Sequence, residues 1–220
     1  TATEAVSSVS ADKGALAATS IDAGTVTADN GGTILSTGNI TAGGVNVNNG
    51  STVASAKTLN TSTVLVTDGS IEAKTLTASA DVTVANGKLL ATGTVTDAST
   101  VAGNLTLTDS EAALGDMAVT GTAAITGSNI VAQSLAVDGA VNVTGGSLVA
   151  ESLAVAADAA FIDGAQVKAD KLTGASGKTI AVGDADDTKG GTTLTVGSLN
   201  LAGGNLYVDP AWGLASSNVA

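Results

Sequence analysis

The chain of 220 residues has no cysteine, no histidine and no arginine, and it holds a single proline, phenylalanine, tyrosine, tryptophan and methionine. Each absence excludes something. Without histidine and cysteine there is no Ser-His-Asp or Cys-His catalytic arrangement, and zinc or copper would lack their usual ligands. Eight lysines against a net charge of −12 leave no basic cluster for phosphate contact, so nucleic acid is excluded as a partner. Anionic membrane surfaces and acidic polysaccharides are disfavoured for the same reason. No run approaches the 18 apolar residues of a membrane span. Lack of cysteine fits a secreted bacterial chain that crosses membranes without locked crosslinks.

What is present is equally biased. Apolar residues make up 44% of the chain, almost all of them Ala, Val, Leu and Ile. A core without aromatics to fill wide, irregular space predicts a narrow, uniform interior. The abundance of Gly, Thr, Ser, Ala and Asn is also the profile of a disordered chain, but the aliphatic content and a strict alternation oppose that reading.

The alternation sits in a repeat. Gly14, Gly32, Gly50, Gly69 and Gly87 are spaced 18, 18, 19 and 18; Asp109 follows four residues late; Gly127, Gly146 and Gly164 resume at 18, 19 and 18. The clearest copies are GSNIVAQSLAVDGAVNVTG and GSLVAESLAVAADAAFIDG, between Gly127 and Gly164. Each unit carries three apolar pairs of period two, such as Ile130/Ala132, Leu135/Val137 and Val141/Val143. Period two means strand, and three short strands per unit with no helical period mean a coil of strands. Unit ends read Asn30-Gly31, Asn49-Gly50, Asp68-Gly69, Asn86-Gly87 and Asp163-Gly164, residues that tolerate the left-handed conformation of a sharp corner. An Asn-Gly pair could equally close a hairpin, but a meander gives no reason for a fixed unit length. The fold class is therefore all-β, a parallel β-solenoid of about ten coils of 18–19 residues. Unequal sides and drifting unit length favour the right-handed form. Residues 1–13 read as a lead-in or partial coil, 14–208 as one solenoid domain, and 209–220 as an end segment continuing into a longer chain.

Candidate sites lie where the pattern fails. Four extra residues around Asp97 to Thr100, and the polar run GDADDTKGG from Gly183, should bulge from the rod, and loops on a scaffold often carry function. Asp184, Asp186 and Asp187 have carboxylate chemistry suited to Ca2+, but the EF-hand pattern is incomplete and solvated loop charge is the plainer reading. A two-carboxylate glycosidase could draw on Asp109, Glu111 and Asp116, or on the same loop aspartates; it would lack the aromatic platforms that grip sugar rings. A non-enzymatic chain without a catalytic site or cofactor is the expectation. The runs Thr75-Leu76-Thr77, Thr94-Val95-Thr96 and Thr106-Leu107-Thr108 raise an ice-binding face, yet the equivalent residues in later coils are Ser134 and Ala136, then Ser152 and Ala154. Tyr207-Val208-Asp209-Pro210-Ala211-Trp212 is the most distinctive local stretch. Pro210 would end the strand, and Tyr207 and Trp212 are contact or capping candidates.

The units G-S-x-[LIV]-x-A…L-x-V…V-x-V-x-[DN]-G resemble the passenger regions of bacterial autotransporter adhesins, the type V secreted proteins, over roughly residues 14 to 208. The resemblance implies a right-handed β-helical stalk, export through a membrane barrel, display on the bacterial outer surface or release from it, and a role in adhesion, virulence, self-association or biofilm. Partners would be host or bacterial surface molecules, or identical chains. The alternative is a structural subunit of an extracellular fibre or surface layer that assembles through its solenoid ends.

Overall fold

The computed structural model describes residues 6–183 and 191–209. Among them the chain forms 21 β-strands and no helix, all joined in parallel ladders. The result is a β-solenoid of about ten turns. Each strand pairs with the equivalent strand one coil away, as Ile130, Ala132, Leu135 and Val137 do with Leu148, Ala150, Leu153 and Val155. The expected coil of strands is therefore present.

The three apolar pairs of a unit point inward from three faces. Taking the unit from Gly69, Ile71/Ala73 lie on the first face, Leu76/Ala78 on the second and Val82/Val84 on the third, all six buried. Three faces do not mean three separate strands. The first two pairs share one nine-residue strand, Ser70–Ala78, and the third occupies Val82–Ala85. The reason is the number of residues at each corner. Two outward residues, Lys74 and Thr75, separate the first pair from the second, and the strand bends there without stopping. Three residues, Ser79 to Asp81, separate the second from the third, and there the strand breaks into a turn.

The long and short corners exchange places along the rod. In the coil of Thr33–Ser36 the three-residue gap (Thr37 to Asn39) comes first, and the following strand Ile40–Asn48 bends round the second corner at Gly43-Gly44. The strand Thr52–Thr67 runs past both corners without interruption and is 16 residues long. From Ser70 onward, apart from the coil whose first corner carries an insertion after Ala91, the short gap comes first, as in Asn129–Val137 and Ser147–Val155. One residue has moved from one corner to the other while the unit length stays near 18, so the inward ladders remain in register.

The corner between the third face and the next coil is the sharpest. Lys13, Asn30, Asn49, Asp68, Asn86, Asp109, Gly127, Gly145 and Asp163, one per coil, all have φ between 48° and 63°. That left-handed conformation is what Asn, Asp and Gly accept most readily. Just before the first face runs a column of very small residues: Gly32, Ser51, Gly69, Gly87, Ser110, Ser128 and Gly146. Its serines tie successive coils together. The Ser51 Oγ accepts from the Gly31 N–H (3.1 Å), and the Ser128 Oγ accepts from the Ser110 N–H (3.0 Å).

The interior is a continuous aliphatic column, as the composition implies. Its one aromatic among the described residues, Phe161, is fully buried. It pairs in register with Val143 and Val182, and the neighbouring inward position, held by Val141 in the previous coil, is Ala159. The small alanine leaves room for the ring. Burying each Val, Leu or Ile stabilises the fold by about 1.5–3 kcal/mol. A coil realises that only between two neighbours: Leu194, Val196, Leu199 and Leu206 in the last described coil are only partly buried.

Candidate interaction surfaces

Site candidates are first the places where the repeat is interrupted. The offset between neighbouring coils is 18 residues at Ala73↔Ala91 and 23 at Thr77↔Thr100. The insertion thus holds five residues rather than four, and it lies between Ala91 and Ser99, at the first corner. It is pinned to the rod. The Lys74 Nζ meets the Asp97 Oδ2 at 2.6 Å, the Thr75 hydroxyl donates to the Asp97 carbonyl (3.1 Å), and the Asp116 N–H donates to the Gly93 carbonyl (2.7 Å). Val95, 85% exposed, stands clear of the rod between the exposed Thr94 and Thr96.

Of the carboxylates considered for glycoside chemistry, Asp109 and Glu111 line one shallow groove with Asp68 and Lys88, and Asp116 does not. Asp109 holds a left-handed corner. Glu111 points outward from the first face and pairs with Lys88 at 2.7 Å. That hydrogen bond, together with the attraction between the charges, raises the Lys88 pKa from 10.5. Asp116 lies beneath the inserted loop, with its Oδ2 buried and lacking a hydrogen-bond partner among the described residues. Asp184, Asp186, Asp187 and Trp212 lie outside the described residues. Among the described residues no group of three or more acidic side chains could hold a metal ion. Tyr207 sits on the outer side of the strand Asn205–Val208, in register with Ala181 and 55% exposed.

The outer surfaces of the three faces differ in chemistry. The third face carries Ser10, Thr27, Asn46, Leu65, Thr83, Thr106, Ala124 and Asn142 along one outward column, which continues as Ala160, Ala181 and Tyr207. Hydroxyl and amide groups dominate, and the side chains of Thr27, Thr83 and Thr106 make no hydrogen bond among the described residues. The polar groups at the corners are differently employed. Asn104 donates from its N–H to the Asp81 carboxylate (2.7 Å), and its own side-chain oxygen accepts from the Thr122 N–H (2.9 Å). Asn49 likewise donates from its side chain to Asp29 (2.7 Å). These side chains stitch coil to coil.

The T-x-T runs do not form one flat array. Thr75 and Thr77 are on the second face, Thr94 and Thr96 in the inserted loop, and Thr106 and Thr108 on the third face. Asp116↔Ser134↔Ser152 and Ala118↔Ala136↔Ala154 continue the second face, so threonine is lost there as the residue spacing indicates.

The first face departs most from the expected alternation. Its outward column reads Ala17, Leu35, Ala54, Glu72, Leu90, Ala113, Val131, Val149, Lys168 and Thr195, residues placed side by side by the ladders. Leu35, Val131 and Val149 are exposed, Val131 by 60%. Alternation had assigned these positions to polar residues. The signal available in the sequence was the apolar doublets Ile34-Leu35, Leu89-Leu90, Ile130-Val131 and Leu148-Val149, which open four of the units.

Among the described residues no helix is long and apolar enough to cross a membrane. No family model, curated protein or solved structure matches the chain, and its fold is established by its own ladders alone.

Proposed function

We propose that this chain is a non-enzymatic segment of a bacterial surface-displayed or secreted adhesin, a right-handed β-helical stalk that works as a rigid spacer and as a lateral contact surface. The observation that supports this most is the third face, where threonine hydroxyls and asparagine amides at Thr27, Asn46, Thr83, Thr106 and Asn142, interrupted by Leu65 and Ala124, line strands stacked about 4.8 Å apart. Such a ladder offers many equivalent weak hydrogen bonds to a host or bacterial surface glycan or protein. Weak contacts of this kind gain strength by repetition along a rigid rod. The lack of histidine and cysteine favours binding over catalysis. The test is capture of cells, or of surface glycans and proteins, by beads bearing the chain at high density. Retention that falls steeply as bead density drops is the expected result. Beads that retain nothing at any density would remove the adhesin reading.

A second reading is a subunit of an extracellular fibre that assembles through coil ends. Filaments that lengthen with concentration would select this reading.

A further inference from the structure

We propose that the outward surface of the first face is a self-docking surface, on which a second copy of this chain lies antiparallel. This deepens the reading of the rod as a lateral contact surface, and rests on it, by naming the partner and the face.

The apolar stripe is the first observation. Leu90, Ala113, Val131 and Val149 stand side by side on the outside of the sheet, bounded by Glu72 and Lys168; Val131 and Val149 are exposed and Leu90 is half-buried, and an exposed aliphatic strip marks an interaction site. Charge is the second. The outward residues on the strands of this face include two acids, Glu72 and Glu111, and two lysines, Lys88 and Lys168. This face is therefore neutral, and the net charge of −12 belongs to the rest of the chain. Contact through this face therefore adds no local excess of like charge, which complementary interfaces avoid.

The order of residues along the stripe selects the arrangement. Consider a two-fold axis along the strand direction, midway between Ala113 and Val131. It sets Ala113 opposite Val131 of the second copy, Leu90 opposite Val149, and Glu72 opposite Lys168, with every contact made twice, as a two-fold interface requires. Small therefore meets large at the centre, aliphatic meets aliphatic beside it, and opposite charges meet at both ends. Neither Glu72 nor Lys168 makes an ion pair within its own chain among the described residues, so both are available. Lys88 and Glu111 neutralise each other on the same copy. Eight coils at about 4.8 Å, with four-residue strands of about 13 Å, give roughly 500 Å² per copy. The total of roughly 1,000 Å² is at the lower bound of a specific interface, so pairing is weak between single rods and strong where rods are displayed side by side.

The test is sedimentation of the intact chain from micromolar to millimolar concentration, with charge exchange at the proposed contact. The chain is expected to form a reversible dimer. Glu72→Lys and Lys168→Glu each place like charges opposite one another and should weaken dimerisation about tenfold or more, while the double variant, with the signs exchanged, should restore it. Val131→Asp, at an exposed position whose column elsewhere holds Glu72 and Lys168, should abolish it, with far-ultraviolet dichroism showing that the variant is folded. A chain that stays monomeric throughout, a dimer insensitive to Glu72→Lys and Val131→Asp, or a double variant no better than the single ones would each overturn the proposal. A monomeric chain that still coats cells from dense beads would overturn self-docking and leave the adhesin reading standing; a dimer that captures nothing would do the reverse.

Discussion

The Ser99 hydroxyl accepts a hydrogen bond from the backbone N–H of Leu76 at 3.0 Å, across the coil boundary where the inserted loop rejoins the rod. Ser99 is fully buried and occupies a ladder position filled by Met117 in the next coil. The insertion arrives at a shifted register, and a side chain supplies the acceptor that the Leu76 N–H needs. Ser99→Ala would leave that donor buried and unpaired, a loss of about 1–3 kcal/mol. Urea unfolding should show the midpoint falling with an unchanged slope. An unchanged midpoint would mean that another acceptor serves Leu76.

Phe161 is the only ring in the described core, and its neighbours are matched to it. Phe161→Ala should destabilise by about 3–5 kcal/mol through lost burial and the cavity left behind. Phe161→Leu should cost less, because Val143 and Val182 hold the same ladder position with branched aliphatics. Thermal unfolding followed by far-ultraviolet dichroism measures both.

Gly145 and Gly146 are adjacent, and both have positive φ, 63° and 66°. Their tolerance should nevertheless differ. A Cβ on Gly145 would meet nothing nearer than 3.6 Å, whereas on Gly146 it would come within 2.2 Å of the Ser128 carbonyl oxygen. Gly145→Asn reproduces the residue found at the same corner in Asn30, Asn49 and Asn86 and should leave stability within about 0.5 kcal/mol. Gly146→Ala combines a backbone clash with an unfavourable φ and should lower stability by more than about 1 kcal/mol. Equal effects in denaturant titrations would contradict the tight-corner account.

The Lys88–Glu111 pair fixes the sign of one pH effect. Lys88 has a folded pKa above its ordinary 10.5, so its contribution is fully present below that value and disappears as the pH rises through the raised one. Both side chains are about two-thirds exposed, and solvent screening keeps the pair weak. Lys88→Met should therefore be almost silent in stability at neutral pH. Its small difference from the unmodified chain should vanish only in strongly alkaline solution. A difference that vanished near pH 7 would point to another titrating group.

How much of the molecule was legible in the sequence follows from which contacts repeat. The inward pairs were readable because a buried position recurs in every coil at a spacing of two. The left-handed corners were readable because Asn, Asp and Gly are the residues that accept that backbone. The number of strands per coil was not readable from the pairs, since a strand that bends and a strand that breaks place the same side chains inward. The difference between Lys74-Thr75 and Ser79-Ala80-Asp81 is one residue, and it becomes decisive only when the ladder above and below each corner is known.

The outward chemistry was less legible still. Thr77, Thr96 and Thr108 belong to similar triplets, yet they lie on a second face, a loop and a third face. Leu35, Leu90, Val131 and Val149 lie far apart in sequence, and each is an ordinary exception within its unit. The sequence by itself determined a narrow aliphatic coil, because composition, period and corner residues are set locally and repeated. The tertiary structure alone decided which outward residues share a face, because that depends on coil-to-coil register, and register depends on the length of every intervening corner and insertion.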